Sequence, residues 1–448
     1  MRISYSRGSI LIDHVENPPD WITYDERIGS FRAPAYKYGE ILKIYKNAED
    51  NVFENKEINL QHSENLRSYQ KMAIAKWVEN DFGGVVVLPT AAGKTHIGMD
   101  AMGRLKTSTI IIAPTIELVQ QWRSRLESTF GIEIGQIGGG LKDIKDVTVC
   151  TFDSAYLMAE TLGNRFRFLL VDEVHHMGAK KYMDIGRMFA SPYRLGLTAT
   201  FERTDMLHED LEKYMGGKIF EMGYEELREY ISSYEIVRIP AELEEEEERE
   251  YEINHEKFVS YLRRHRITMR GPWDFQKFIM SSWNPEGREA LLAWRRARKI
   301  AFNARVKRDI VRYVMNKHKG EKTLIFSDDT ESAYMISREF LIPCITYLTP
   351  GPERKMYLDM FRKGEVRALA TSRVLDEGID VPDASIGIVL SGSGSTRQFR
   401  QRLGRILRPA DGKKAIMYEI VARGTSEYGT SKRRRKGVPV SVDDDQEE

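Results

Sequence analysis

Two stretches of the chain alternate short apolar runs with longer amphipathic ones. In the first, between Asp81 and Pro240, the runs are residues 85–88, 109–113, 147–151, 168–172 and 194–198, each rich in Val, Ile, Leu or Phe. Runs of this length suit strands buried on both faces. Helix-like segments such as 115–130 separate them, and strand–helix alternation argues a parallel sheet covered by helices. The alternation returns at 323–326, 345–348, 367–371, 386–390 and 414–420, with helix-like segments at 331–340, 353–362 and 398–407. The pattern predicts an α/β protein with two lobes, residues 58–240 and 305–430.

The remaining segments read differently. Residues 1–57 carry aromatics among strand-like runs and are expected to form a small separate domain. An acidic run at 242–250 suggests a solvated helix face or linker. Two Arg-rich, helix-forming stretches follow, 251–270 and 287–308, around a loop at Gly271–Pro272. A helical insertion over 241–304 is the expectation. The end, 431–448, has a basic run followed by an acidic one and is read as a disordered charged tail.

Composition narrows the classes without choosing one. A net charge of +1 supplies no global field toward nucleic acid, so any such binding must use local contacts. The two cysteines, Cys150 and Cys344, stand far apart and give neither a disulfide framework nor a zinc site. The N-terminus has charges throughout and reads as neither signal peptide nor membrane span, so a cytoplasmic location without membrane is expected.

Candidate chemistry begins where run 85–88 enters Pro89-Thr90-Ala91-Ala92-Gly93-Lys94-Thr95 ahead of a helix-like segment. Strand, loop and helix in that order make a phosphate cradle, with backbone N–H groups and the helix N-terminus facing the anion. Thr90, Ala91, Ala92 and Gly93 would line it. Lys94 would reach the phosphates and Thr95 would ligate Mg²⁺. Leu88 stands where the full pattern has Gly, so the motif alone also fits an ordinary helix start. Run 168–172 ends in Asp172-Glu173-Val174-His175. Carboxylates closing a buried strand need a polar partner: Asp172 would hold Mg²⁺, Glu173 would orient the attacking water, and His175 would sense the γ-phosphate or couple it onward. The alternative is a helix cap. Upstream, Arg67 and Gln70 precede the loop by some twenty residues, and Gln70 can read an adenine edge.

In the second lobe Gln401, Arg405 and Arg408 share one face of a helix. Guanidinium forks there suit a transferring phosphoryl group; a solvated basic face is the rival reading. The ordered set Gln70, PTAAGKT, DEVH, Thr198-Ala199-Thr200 and QRLGRILR resembles superfamily-two helicases over both lobes. With the phrase GLTATFERTD and the helical insertion it is most similar to the archaeal XPB (xeroderma pigmentosum group B) helicases.

That resemblance implies two RecA-like lobes, ATP and Mg²⁺ as cofactors, and a nucleotide site to which both lobes contribute. It implies a damage-recognition-like N-terminal domain, a thumb-like insertion, 3′-to-5′ movement on DNA and, in archaea, a nuclease partner. Thr198, Ala199 and Thr200 would couple the nucleotide state to DNA. Gly378 and Asp380, within Asp376-Glu377-Gly378-Ile379-Asp380, would meet nucleotide and DNA backbone. The family's Arg-Glu-Asp triplet reads Arg203-Thr204-Asp205 here, which puts Arg203 and Asp205 in question as strand separators. Phosphate grips are expected at Thr115 and Thr371, and in the insertion at Arg263, Arg264 and Arg266, with Trp273 and Phe278 either stacking bases or forming that insertion's own core. A duplex translocase that does not unwind, an RNA helicase and a non-catalytic DNA-binding scaffold remain alternatives.

Overall fold

The computed structural model describes residues 1–54, 57–61, 65–90, 92–201, 208–227, 229–230, 233–269, 271–372, 384–392, 394–406 and 414–435. The chain divides into two units, Met1–Leu227 with Gly378–Asp380, and Arg228–Glu377 with Val381–Glu448.

The first unit opens with a five-stranded sheet in the order β3-β4-β2-β1-β5 (β1 Arg2–Ser6, β2 Ser9–Ile12, β3 Thr23–Asp25, β4 Ser30–Pro34, β5 Glu49–Asn51). Alternate residues Ile3, Ile10, Ile12 and Ala33 close its core with Tyr38 and Ile41. The small sheet is docked on the lobe that follows: the Tyr5 hydroxyl faces the Met188 carbonyl at 3.0 Å and those of Ala159 and Glu160 at 3.2 Å. Burial there pushes the phenol up to about 12.

The lobe itself is an eight-stranded sheet ordered β13-β6-β12-β11-β7-β10-β8-β9, parallel except for the terminal β8–β9 hairpin. Its strands are β6 Gly83–Val87, β7 Thr109–Ala113, β8 Gly135–Gly138, β9 Leu141–Asp143, β10 Val147–Thr151, β11 Phe168–Asp172, β12 Tyr193–Thr198 and β13 Lys218–Glu221. All five apolar runs expected here are strands. β6 starts two residues earlier than its apolar run, on Gly83 and Gly84. Gly84 adopts φ +143, and a Cβ there would lie 2.5 Å from the Ile219 side chain, so the glycine admits β13 alongside. β12 lies between β6 and β11, in register Thr198↔Val87 and Asp172↔Leu197. The C-terminal ends of these three strands are therefore neighbours, the edge where open parallel sheets bind ligands.

Arg194 on β12 pins this lobe without a carboxylate. Its guanidinium is buried and donates to the carbonyls of Ser191, Gly186, Tyr214 and Phe189 at 2.5–3.0 Å. Two of these carbonyls belong to the helices Met183–Met188 and His208–Met215, near whose C-terminal ends a cation is favoured. Burial pulls the group down only to about 10, so it stays charged at neutral pH. Arg194→Met, which leaves these carbonyls without their donor, is expected to cost on the order of 3 kcal/mol or more of the first unit's stability. Denaturant unfolding checks it; a cost below about 1 kcal/mol would mean water replaces the donor.

The second unit is built on a six-stranded parallel sheet ordered β14-β19-β18-β15-β17-β16 (β14 Ser233–Ala241, β15 Thr323–Phe326, β16 Cys344–Ile345, β17 Ala368–Thr371, β18 Ile386–Val389, β19 Lys414–Ala422). One expectation is corrected here. The first lobe was expected to run to residue 240, but β14 pairs with β19 along its whole length, from Ser233↔Lys414 to Ala241↔Ala422. The insertion contains helices Glu245–Arg264, Pro272–Ser281 and Pro285–Phe302. Pro272 thus starts a helix rather than a loop, as its fixed φ favours at a first turn. The acidic run forms the first turn of Glu245–Arg264, opposite the positive end of the helix dipole. Phe258, Tyr261, Phe278 and Leu291 make the insertion's core.

The tail is corrected as well. Helix Ser426–Arg434 carries the chain past residue 431, with Glu427, Ser431 and Arg434 buried. Arg434 pairs with the buried Glu419, and Lys307 Nζ lies 2.7 Å from Glu427 Oε2. Burial pulls the Lys307 ammonium below its ordinary range, against the opposing pull of Glu427.

Candidate nucleotide site and nucleic-acid interface

The chain leaves β6 at Val87, and Gly93 leads into helix Lys94–Leu105. Gly93 sits at φ +70 as the residue before that helix. A Cβ there would lie 2.6 Å from Gln70 Nε2, so only glycine lets the loop close on its neighbour. Gln70 is buried and its amide is committed. It accepts from the Arg67 N–H at 2.9 Å and donates toward the Ala92 and Gly93 carbonyls, both at 3.2 Å. Tyr69, which no spacing rule singled out, donates its hydroxyl to the Ala92 carbonyl at 2.8 Å. The structure thus places Gln70 as a brace of the loop. Lys94 Nζ donates to the Leu88 and Pro89 carbonyls at 3.1 and 3.4 Å, which holds the ammonium over the loop. Thr95 is half-buried one residue on, and Thr90 Oγ1 is a buried oxygen without a hydrogen-bond partner among the described residues.

Asp172 ends β11. Glu173 then turns the chain through φ +50, a left-handed conformation costly for a residue with a side chain. The Glu173 N–H donates to Asp172 Oδ1 at 3.0 Å, and Trp122 Nε1 donates to Oδ2 at 2.9 Å. Burial, then the neighbouring Glu173 carboxylate, push Asp172 up to about 6, while the Trp122 indole and the Lys94 ammonium pull the other way.

His175 joins this pair to β12. Its Nδ1 lies 2.8 Å from Thr198 Oγ1 and 3.3 Å from Glu173 Oε2. Thr198 spends its one hydroxyl proton on the Thr200 carbonyl at 2.8 Å and accepts the Thr200 N–H at 3.2 Å. The imidazole must then donate to Thr198, which assigns the proton to Nδ1. The Thr198 carbonyl in turn accepts the Leu88 N–H at 2.9 Å, at the base of the loop. Ala199 is buried beside them.

In the second unit the buried residues 401–406 close helix Thr396–Ile406, so Gln401 and Arg405 do not lie on a solvated face. Gln401 Oε1 is buried without a hydrogen-bond donor among the described residues, and Arg405 is 8% exposed. Arg402 lies against the Phe326 ring and donates to the Ser391 carbonyl at 3.3 Å, as a packing residue. Ala91, Arg203, Asp205, Gly378, Asp380 and Arg408 lie outside the described residues.

The expected DNA contacts fare unevenly. Thr115 caps helix Ile116–Phe130, accepting the Leu118 N–H at 3.3 Å. Thr371 is fully buried and donates to the Ser372 carbonyl at 2.8 Å. Arg264 pairs with Glu286, while Arg263 and Arg266 are exposed. Of the two aromatics, Phe278 is core and Trp273 is 77% exposed. Sequence reasoning missed Trp283, 92% exposed, which with Arg288, Leu292, Arg295 and Arg296 lines an open groove of about 840 Å³. These three arginines are exposed and form no ion pair among the described residues, unlike Lys257 in the same groove, which pairs with Glu289, and Arg264, which pairs with Glu286. Their spacing along Pro285–Phe302 gives the signal: positions 288, 292, 295 and 296 share one helical face.

Three family descriptions match along the chain: a type III restriction enzyme res subunit over residues 63–203, an ERCC3/RAD25/XPB C-terminal helicase over 292–439, and a xeroderma pigmentosum group B helicase damage recognition domain over 3–53. A protein of Sulfurisphaera tokodaii named DNA 3′-5′ translocase XPB2 is 40% identical over 441 residues, covering 97% of this chain and 99% of the relative. The chain belongs to the XPB family. A Mycobacterium tuberculosis member, named DNA 3′-5′ helicase XPB, is 31% identical and matches 82% of this chain but 63% of its own length. Among solved structures, the Pyrococcus furiosus Hef helicase domain superposes with a TM-score of 0.57 at 18% identity, covering 83% of this chain and 98% of its own. That likeness supports the helicase-type pair of parallel-sheet lobes in this XPB family member. Among the described residues no helix is long and apolar enough to cross a membrane.

Proposed function

We propose that this XPB-family chain is an ATP-driven DNA translocase and helicase, moving 3′ to 5′ in DNA repair or transcription-linked opening. One observation carries the reading. The phosphate-loop lysine, the Asp172–Glu173 pair and the His175–Thr198 bond occupy the ends of three adjacent strands, β6, β12 and β11. Phosphate oxygens outcompete neutral carbonyls for an ammonium, so Lys94 exchanges Leu88 and Pro89 for the nucleotide. Asp172 and Thr95 offer the hard oxygen ligands that Mg²⁺ takes alongside phosphates and water, and a bound Mg²⁺ would neutralise charge on the transferring phosphoryl group. Glu173 orients the attacking water. His175 touches both Glu173 and Thr198, so a change at the carboxylate is felt at the Thr198–Thr200 turn. Arg405, with Arg408, supplies positive charge to the transition state.

ATP hydrolysis measured with single-stranded DNA, duplex DNA and RNA of equal length tests this function. DNA is expected to stimulate and RNA to do so weakly; the reverse order would make the protein an RNA motor. The translocase name of the Sulfurisphaera relative favours a second reading, movement on duplex without unwinding, which a forked substrate distinguishes. A nuclease partner is part of the proposal, and its absence from proteins co-purified with the native chain would remove it.

Within the insertion we assign the DNA grip to the Trp283 groove. Base stacking on an exposed aromatic contributes about 1–3 kcal/mol. Trp283→Ala is therefore expected to weaken single-stranded DNA binding roughly tenfold, read by fluorescence anisotropy, whereas Arg264→Ala, already paired with Glu286, changes it little. A larger loss from Arg264→Ala would move the grip to the neighbouring groove that Arg264 lines with Tyr261 and Glu286.

A further inference from the structure

Both oxygens of the Asp172 carboxylate are engaged from within the first unit. The Glu173 N–H follows locally from the turn after β11. The other donor, Trp122 Nε1 at 2.9 Å, comes from fifty residues upstream on helix Ile116–Phe130. This second bond is built into the packing. Trp122 is 2% exposed, and its ring lies over Gly98, where a Cβ would come within 3.0 Å of Cη2 and 3.2 Å of Leu170. Gly98 stands one turn beyond Lys94 on helix Lys94–Leu105, so the indole is wedged between that helix and β11. Its ring has a single polar hydrogen, and that hydrogen points at the carboxylate.

From this we infer that Trp122 is a positioning residue for Asp172. It fixes the rotamer of the carboxylate and so decides which lone pairs remain for a divalent cation. A carboxylate accepts at about four sites; the two protein donors leave the others available. An indole suits this task because it donates without charge. Lysine or arginine at the same place would neutralise the carboxylate and compete with the cation, and phenylalanine would leave Oδ2 without this donor while the Glu173 N–H stays on Oδ1. The inference rests on Asp172 as the carboxylate that faces Mg²⁺.

The test replaces Trp122 with Phe and, by site-specific incorporation, with its benzothiophene analogue, which keeps the ring volume and lacks the N–H. Equilibrium binding of a fluorescent ATP analogue is titrated with Mg²⁺ and repeated in EDTA, beside the Mg²⁺ dependence of hydrolysis; Asp172→Asn is the reference. Partners of metal ligands typically change metal affinity 10–100-fold. Half-saturating Mg²⁺ should therefore rise about tenfold or more in both variants, with affinity in EDTA unchanged and kcat at saturating Mg²⁺ within about threefold of the parent. If the benzothiophene variant keeps the parent's half-saturating Mg²⁺ while Asp172→Asn loses its response, the positioning role is overturned and the site reading stands. Equal weakening with and without Mg²⁺ makes Trp122 a packing residue and also overturns it. If Asp172→Asn responds to Mg²⁺ as the parent does, the site reading itself fails.

Discussion

Lys94→Ala is expected to leave a folded, DNA-binding protein with ATP turnover reduced roughly 10²–10³-fold. The structural cost is small because, among the described residues, the ammonium donates to two neutral acceptors, the Leu88 and Pro89 carbonyls. Losing such bonds costs about 1 kcal/mol. The chemical cost is large because, in the function proposed, the ammonium meets the charge that gathers on the phosphoryl group, and one preorganised donor removed from such a site typically lowers kcat by about 10²–10³. Steady-state ATPase assays with saturating DNA check the first half, and anisotropy on labelled DNA checks the second. Turnover within tenfold of the parent would take the loop out of the catalytic account; a parallel loss of DNA binding would mean the side chain holds the fold.

How much of this was visible in the sequence depends on whether the determining contacts are local. β7, β10 and β11 could be bounded from their apolar runs because each is buried on both faces and entered from a polar residue, Ser108, Asp146 and Arg167. β6 could not, since Gly83 and Gly84 look like a turn; they are strand through their pairing with Arg194 and Leu195 of β12, and Ile219 packs where a Cβ on Gly84 would stand. β14 carries no local mark of its partner: its pairing with β19 spans about 180 residues, and an edge strand's half-buried residues do not announce which sheet they join. The basic run after residue 431 looked solvated because composition does not reveal that Glu419 and Glu427 wait in the core for Arg434 and Lys307. Lys94, Asp172 and Glu173 were legible for the opposite reason, since strand-end positions fix where such side chains emerge. Trp122 was not, because an indole on an apolar helix stripe with Val119 and Leu126 looks like core until its N–H is seen to have a partner.

The same contrast between neighbours on one helix frames the largest effect expected in the second unit. Arg402 and Arg405 are both buried, 2% and 8% exposed, yet different outcomes are expected when each is cut back. Arg402 packs on Phe326 and donates to Ser391, so Arg402→Ala should lower the melting temperature while the protein that remains folded still turns over. Arg405→Ala should lower kcat by about 10³–10⁵, the range of arginines that meet a transferring phosphoryl group, with ATP affinity changed by less than about tenfold. Arg405→Lys should rescue little, because a point charge does not reproduce the planar fork. Rapid-mix single-turnover assays beside equilibrium nucleotide binding separate the two quantities. If affinity and turnover fall together, Arg405 is an anchor for bound nucleotide; if neither falls, the phosphoryl group is neutralised by another residue and the role proposed for this helix is wrong.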